Sequence, residues 1–311
     1  MLMKGIFVGL LRFLYLRFRF LKILEFNLRA RRDSKASRNI ASRAGYIVLD
    51  RAIRQINHPA ASNTLFILAT GSSARQLGKT EYKIIRRNHS IGVNRWLMSD
   101  FVPDAISLDS TKLSNVLASG VSEKMEIMGE RLALFAKKSP DLKILLQRTP
   151  APSTSLQHYP IPIALRGSVF MYGRANLEGA SETSIGRELT AILAGESGYS
   201  IPRNVLIDNG ASVVRLIFLG ISQKYDDIVL IGVDADDRPY FHGAQDKISN
   251  YFEPGVGEAH STEDTVNRPV STSSFIRELG AAMKSVNGPR LWVGSSESRL
   301  SDELAVYDWS L

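Results

Sequence analysis

Two spacings of hydrophobic residues alternate along this chain. Short apolar runs bounded by polar or glycine-rich turns occur at 64–70, 90–94, 105–109, 142–147, 225–234 and 289–295. Runs of that length with those boundaries predict buried strands. Between them, apolar residues recur every three or four positions over 111–137, 212–223 and 271–286, which predicts helices; Ser271 and Thr272 supply the caps for the last. A helix is also expected over 45–56, broken by the "NHPAASN" that follows. Strands alternating with helices argue for an α/β domain whose sheet is mainly parallel.

Two stretches depart from the alternation. Residues 149–205 contain Pro150, Pro152, Pro160, Pro162 and Pro202, with glycine, serine and tyrosine between them. A segment of that composition inside a compact domain suggests a lid or an acceptor-side subdomain. Residues 235–267 are loop-rich and suggest a second lid or acceptor loop.

The N-terminus changes the picture again. Residues 1–43 hold eleven Lys or Arg against Glu25 and Asp33, a net +9 in a chain whose total is +8. The remaining body is therefore close to neutral, which offers no basic surface for nucleic acid. The longest charge-free apolar run in the N-terminal segment, residues 5–11, is too short for a transmembrane helix, which needs roughly 20 residues. Arg12, Arg17, Arg19 and Lys22 also interrupt the core a signal peptide would need. On a helical projection Lys4, Arg12, Arg19, Lys22 and Arg29 form one basic edge, and Leu, Ile and Phe fill most of the rest. This predicts an amphipathic helix lying on an anionic membrane surface or, as the alternative, a terminal helix packed on the protein's own core, followed by a single large domain over 44–311.

The chain has 311 residues, 44% of them hydrophobic, and no cysteine. Disulfides and thiolate metal sites are excluded, and a cytoplasmic location is favoured.

In parallel sheets ligands bind beyond the carboxyl ends of strands, so candidate chemistry is sought there. "FILATGSSA" runs a strand into a turn of small residues, Thr70 to Ser73. Gly71 would let the backbone approach a ligand; Ser72, Ser73 and the backbone amides would donate to a phosphate. The turn lacks both the Gly-x-Gly-x-x-Gly and the Gly-Lys-Ser/Thr patterns, and it also suits a plain capped strand-to-helix turn. Asn94 and Asp109 end two further runs, where an amide and a carboxylate can read ribose hydroxyls or a base edge or form turns. "GVDADD" places Asp234 and Asp236 where a divalent cation could be held against a diphosphate. Of the five histidines, His260 in "EAHSTEDT" follows a loop hinged by Gly255 and Gly257, and an imidazole there can accept a proton from a sugar hydroxyl.

The succession "ATGSSA", "GVN", "AISLD", "DNGAS", "YDDIVLIGVD", "AHSTEDT" and "LWVGSSES" resembles the bacterial lipooligosaccharide sialyltransferases, glycosyltransferase family 42, over residues 62–300. The resemblance implies a Rossmann-like fold and a metal-independent transfer of sialic acid, or a related acidic sugar, from a CMP-sugar donor to a glycan or glycolipid acceptor. It implies no separate cofactor. Gly71 and Ser73, with Ser72 beside them, match the nucleotide turn, while Thr70 stands where the family has asparagine. Asn94 matches the second-strand asparagine, and Asp109 replaces another. Ser212, with Asn209 and Gly210, matches the serine before the long helix, and Gly232 and Asp234 match a strand end. His260 matches the general base. The family's two phosphate-holding tyrosines correspond here to the neighbourhood of Tyr240 and His242. The amphipathic N-terminus would then bring the enzyme to the inner face of a bacterial cell membrane as a peripheral protein. Two other classes fit the same residues: a metal-dependent nucleotide-diphosphate-sugar or pyrophosphate transferase using Asp234 and Asp236, and a non-catalytic nucleotide-binding protein.

Overall fold

The computed structural model describes residues 2–51, 63–108, 122–148, 161–177, 181–196, 198–234 and 270–310, with the side chains of 2–18, 122–127 and 163 outside the description. The described residues form an α/β fold of nine strands in which every pairing is parallel. The strands are β1 (Ile47–Val48), β2 (Thr64–Leu68), β3 (His89–Val93), β4 (Ala105–Leu108), β5 (Lys143–Gln147), β6 (Val169–Asn176), β7 (Val205–Asp208), β8 (Asp227–Ile231) and β9 (Arg290–Val293). Their order across the sheet is β1-β6-β5-β4-β3-β2-β8-β9. β7 also pairs with β6. Met171 accepts from Leu49 N and Gly173 donates to Asn204 O. Groups two residues apart point to the same edge of a strand, so β1 and β7 follow one another along one edge of β6.

The helices among the described residues are α1 (Leu2–Ala44), α2 (Lys79–Arg86), α3 (Ser122–Lys138), α4 (Glu182–Leu193), α5 (Ser212–Ser222) and α6 (Thr272–Ser285). Helices α1, α4, α5 and α6 supply one apolar cluster with alternate strand residues such as Leu65 and Ile67. Helices α2 and α3, the 3₁₀ turn Asn94–Met98 and the C-terminal Tyr307 and Trp309 pack with Phe66 and Leu68 on the other face. Burial on both faces is why β2 and β3 carry no exposed position. The expected strands at 64–70, 105–109, 142–147, 225–234 and 289–295 each contain an observed one, and the one expected at 90–94 forms one residue earlier, as β3. The helix expected at 271–286 forms with Ser271 as its cap, its Oγ accepting from Ser274 N at 3.1 Å.

From β2 the chain moves through α2 to β3, towards one edge of the sheet. From β8 it moves through α6 to β9, towards the other edge and over the opposite face. The topological switch point therefore lies between β2 and β8.

Three expectations are corrected. The stretch 149–205 is not a lid throughout: β6 lies inside the sheet, paired on both edges, and α4 packs on α6. The prolines misled because Pro162 precedes a 3₁₀ turn, Ile163–Ser168, that feeds β6 directly, while 149–160 lies outside the described residues. The helix expected over 45–56 does not form at its start. Gly45, at φ 70°, ends α1 in the manner of a C-terminal glycine cap, and Ile47–Val48 is a strand.

The third correction concerns the N-terminal boundary. No break falls at 43/44, because α1 is one helix whose second half belongs to the fold. Phe26, Ala30, Ser34, Ser37 and Ala41 form its buried stripe. Asn204 binds Ser34 and Ser37, with Ser34 Oγ donating to Asn204 Oδ1 at 2.6 Å. Phe26 meets Tyr199 edge-to-face at 4.9 Å. Of the predicted basic edge, Arg19 pairs with Glu188 of α4 at 3.1 Å, while Lys22 and Arg29 are exposed. Among the described residues no helix is long and apolar enough to cross a membrane.

Candidate functional site

The sequence-predicted residues separate into two groups at the carboxyl end of the sheet. The first lies at the switch point. Beyond the last paired residues of β2 and β8 the backbones stay joined: Ala69 N donates to Ile231 O and Gly71 N to Gly232 O, both at 2.8 Å. Asp234, buried at 5% exposure, turns back into the Gly71–Ser73 turn. Its Oδ2 accepts from Ser73 N at 2.9 Å and Ser72 Oγ at 3.0 Å, and its Oδ1 accepts from Ser73 Oγ. A Cβ on Gly71 would lie 2.6 Å from both Asp234 Oδ2 and Gly232 O, and one on Gly232, at φ 64°, would lie 2.4 Å from Ala69 O. The two glycines admit the two turns to each other. The donors expected to face a phosphate face the protein's own carboxylate. A cavity of about 250 Å³ opens beside this turn, lined by Ser73, Gln76, Ser295 and Trp309 among others.

The second group forms where β3, β5, β6 and β7 end. Asn94 follows β3 at φ 47°, a left-handed conformation in which asparagine is among the few side chains commonly found. Its Nδ2 lies 3.3 Å from Ser212 Oγ, at the first residue of α5. Arg215, one turn further along α5, donates to the same Ser212 Oγ at 2.8 Å and to Asp208 Oδ1 at 2.9 Å. Almost all of α5 is buried, so the Arg215 guanidinium, 1% exposed, is stable only against a carboxylate; Asp208 supplies it and is 0% exposed. Gly210 N donates to Asp208 Oδ1 and Ala211 N to Asn209 Oδ1, shaping the turn that opens α5. Arg174 of β6 reaches Asp208 Oδ2 at 3.3 Å.

Helix α1 enters the same network. Asp33 Oδ1 accepts from Arg148 Nε at 2.8 Å, and Oδ2 accepts from Arg174 N at 2.6 Å. Among the described residues, three guanidinium groups (Arg148, Arg174, Arg215) thus share two carboxylates (Asp33, Asp208), beside the positive end of α5. Polar atoms here also remain without a hydrogen bond. Gln147, fully buried, has neither amide atom satisfied; the hydroxyl of its register neighbour Tyr172 and the amide nitrogen of Asn209 are likewise without a hydrogen bond. Gln147 and Tyr172 point to the face that α5 covers, as Leu145 and Phe170 do two residues before each.

The structure thus brings Asn94, Asn209, Gly210 and Ser212 together, and separately joins Gly71, Ser72, Ser73, Gly232 and Asp234. Asp109, Tyr240, His242 and His260, together with Asp236, lie outside the described residues. His89 stands at the amino end of β3, where its Nδ1 and the Tyr225 hydroxyl are 2.9 Å apart, at the far end of the sheet from both groups. Sequence reasoning missed Asp33, Arg148, Arg174, Asp208 and Arg215. For two of them a signal was present: Asp208 ends an apolar run just before Asn209-Gly210, and Arg215 interrupts the apolar "SVVRLIFLG". No protein-family model matches the chain, and no curated protein sequence matches it.

Proposed function

We propose that this protein is a glycosyltransferase that binds a CMP-sugar at the carboxyl ends of β3, β6 and β7 and transfers sialic acid, or a related acidic sugar, to a glycan acceptor. The carrying observation is the unfinished state of this cluster. It ends on a helix N-terminus and keeps buried amide and hydroxyl groups of Gln147, Tyr172 and Asn209 that folding has not paired. An anionic nucleotide supplies what it lacks: a phosphate for Arg174 and the amino end of α5, and acceptors and donors for the amides. The hydrogen bond between Asn94 and Ser212 also joins two residues, 118 apart in the chain, that the resemblance assigns to one nucleotide.

In the reaction so read, the acceptor oxygen attacks the anomeric carbon, the bond from that carbon to the CMP phosphate oxygen breaks, and the electron pair leaves with CMP. His260 takes the proton of the acceptor hydroxyl, and Tyr240 or His242 neutralises the departing phosphate. The metal-dependent reading is disfavoured because both oxygens of Asp234 already accept hydrogen bonds from Ser72 and Ser73.

Thermal unfolding with CMP, CDP, UDP and GDP, each with and without Mn²⁺, tests the reading. CMP alone is expected to stabilise, by about 2.7 kcal/mol at a hundredfold excess over its dissociation constant. Stabilisation by a diphosphate only with Mn²⁺ would favour the rival, and no shift with any nucleotide would sink both. His260→Ala should lower turnover at least about a hundredfold while sparing nucleotide affinity, and the wild-type rate should fall as pH drops through about 6 to 7.

A further inference from the structure

The docked half of α1 buries one face and leaves the opposite face with a definite chemical order. Phe20, Leu21, Leu24 and Leu28 are exposed at 64%, 49%, 43% and 57%. The exposed residues Arg31, Arg32, Lys35 and Arg38 follow. At about 100° per residue all eight fall within roughly one third of the helix circumference, and no acidic residue between 20 and 42 shares that arc. The apolar part is about 12 Å long and the basic part about 10 Å, at 1.5 Å per residue.

We propose that this outer face of α1 docks on an anionic bilayer surface. The apolar side chains enter the acyl boundary, and the four cations meet lipid phosphates where the helix emerges. A protein groove would have to match both an apolar strip and four adjacent cations, whereas a lipid surface presents hydrocarbon beneath a layer of negative charge. This surface is separate from the basic edge read from the sequence: at about 100° per residue Lys22 and Arg29 fall outside its arc, and Arg19 pairs with Glu188.

The docking fixes more than location. The Asp33 carboxylate faces Arg174 N in the second half of β6, while the end of α1 turns through Gly45 into β1, opposite Phe170 and Met171. The helix therefore runs antiparallel to the strands, and its apolar strip lies towards their carboxyl ends. A bilayer that holds Phe20 to Leu28 also holds the Arg148–Arg174–Asp208 cluster near its surface, through Asp33.

The test uses the full chain and vesicles of phosphatidylcholine, alone or mixed with phosphatidylglycerol, with sedimentation as the readout. Binding is expected to the mixed vesicles and to weaken with salt. Leu24→Glu with Leu28→Glu should lower partitioning at least about tenfold. Arg31→Glu with Lys35→Glu should remove the preference for the anionic vesicles. Circular dichroism and the CMP thermal shift report whether these exposed substitutions leave fold and nucleotide site intact. Equal binding to both vesicle types, or unchanged binding of the variants, overturns the proposal. So does a wild-type dimer in vesicle-free buffer that the Leu24/Leu28 variant converts to monomer, which would assign the face to a second copy. Vesicle binding without a CMP shift would leave the docking intact and defeat only the nucleotide reading.

Discussion

The two polar clusters at the carboxyl end of the sheet solve the same problem in opposite ways. At the switch point the ends of β2 and β8 are joined by backbone hydrogen bonds, and the Ser72–Ser73 donors converge on Asp234. That cluster is complete without a ligand. At the ends of β3, β5, β6 and β7 Asn94 holds a left-handed backbone, and Gln147, Tyr172 and Asn209 keep unpartnered atoms. Buried polar groups without partners cost free energy, and natural chains retain them mainly where function uses them. The difference teaches how to compare them: the glycine-serine turn directs its donors to a carboxylate of the same chain, whereas the second cluster keeps polar atoms unpaired.

Four substitutions test that contrast, taken from the largest expected effect down. Asp208→Ala would leave Arg215 buried without its carboxylate, and urea unfolding should show a loss of about 3 to 5 kcal/mol. A loss below 1 kcal/mol would mean that the cluster is more hydrated than its burial indicates. Asp234→Ala should cost about 2 to 3 kcal/mol by stranding Ser73 N–H and the two hydroxyls. Its CMP affinity should stay within twofold, and chelation by EDTA should leave wild-type nucleotide binding unchanged. If Asp234→Ala abolishes nucleotide binding in a folded protein, the two clusters have been assigned the wrong way round.

Asn94→Gly keeps the left-handed backbone available and removes only the amide. It should weaken CMP about tenfold, or 1.4 kcal/mol, with stability changed by less than that. Equal loss of stability and affinity would make Asn94 a structural residue. Gln147→Leu removes two unsatisfied polar atoms from the interior and should raise the melting free energy by about 1 kcal/mol in the absence of ligand. A destabilised Gln147→Leu would show that the amide has partners in the folded state and that the second cluster is as complete as the first.

The strands were legible because their signal is local. "TLFIL", "DIVLI" and "KILLQ" are apolar runs that stop at turn residues, and a buried parallel strand needs little else. The cap at Ser271 was legible for the same reason. β6 was not, since its apolar residues sit between a proline-rich stretch and "GRAN", and its place inside the sheet depends on β5, β1 and β7 arriving from elsewhere in the chain. The docking of α1 was hidden by its own composition: a stripe of Phe26, Ala30, Ser34, Ser37 and Ala41 is only weakly apolar.

By itself the sequence determined the α/β class, the position of most strands, the concentration of positive charge in residues 1–43, and the candidate turns at strand ends. All of these follow from spacing and composition within a dozen residues. Tertiary structure alone decided which polar groups meet. Asp234 closes on Ser73 across 161 residues, Asn94 reaches Ser212 across 118, and Asp33 holds Arg148 across 115. Such contacts are set by strand order and helix packing, which bring the ends of distant segments to one edge of the sheet. Local propensity carries no record of that order, so the same serine-glycine turn reads as a phosphate cradle in sequence and closes on the protein's own carboxylate in the fold.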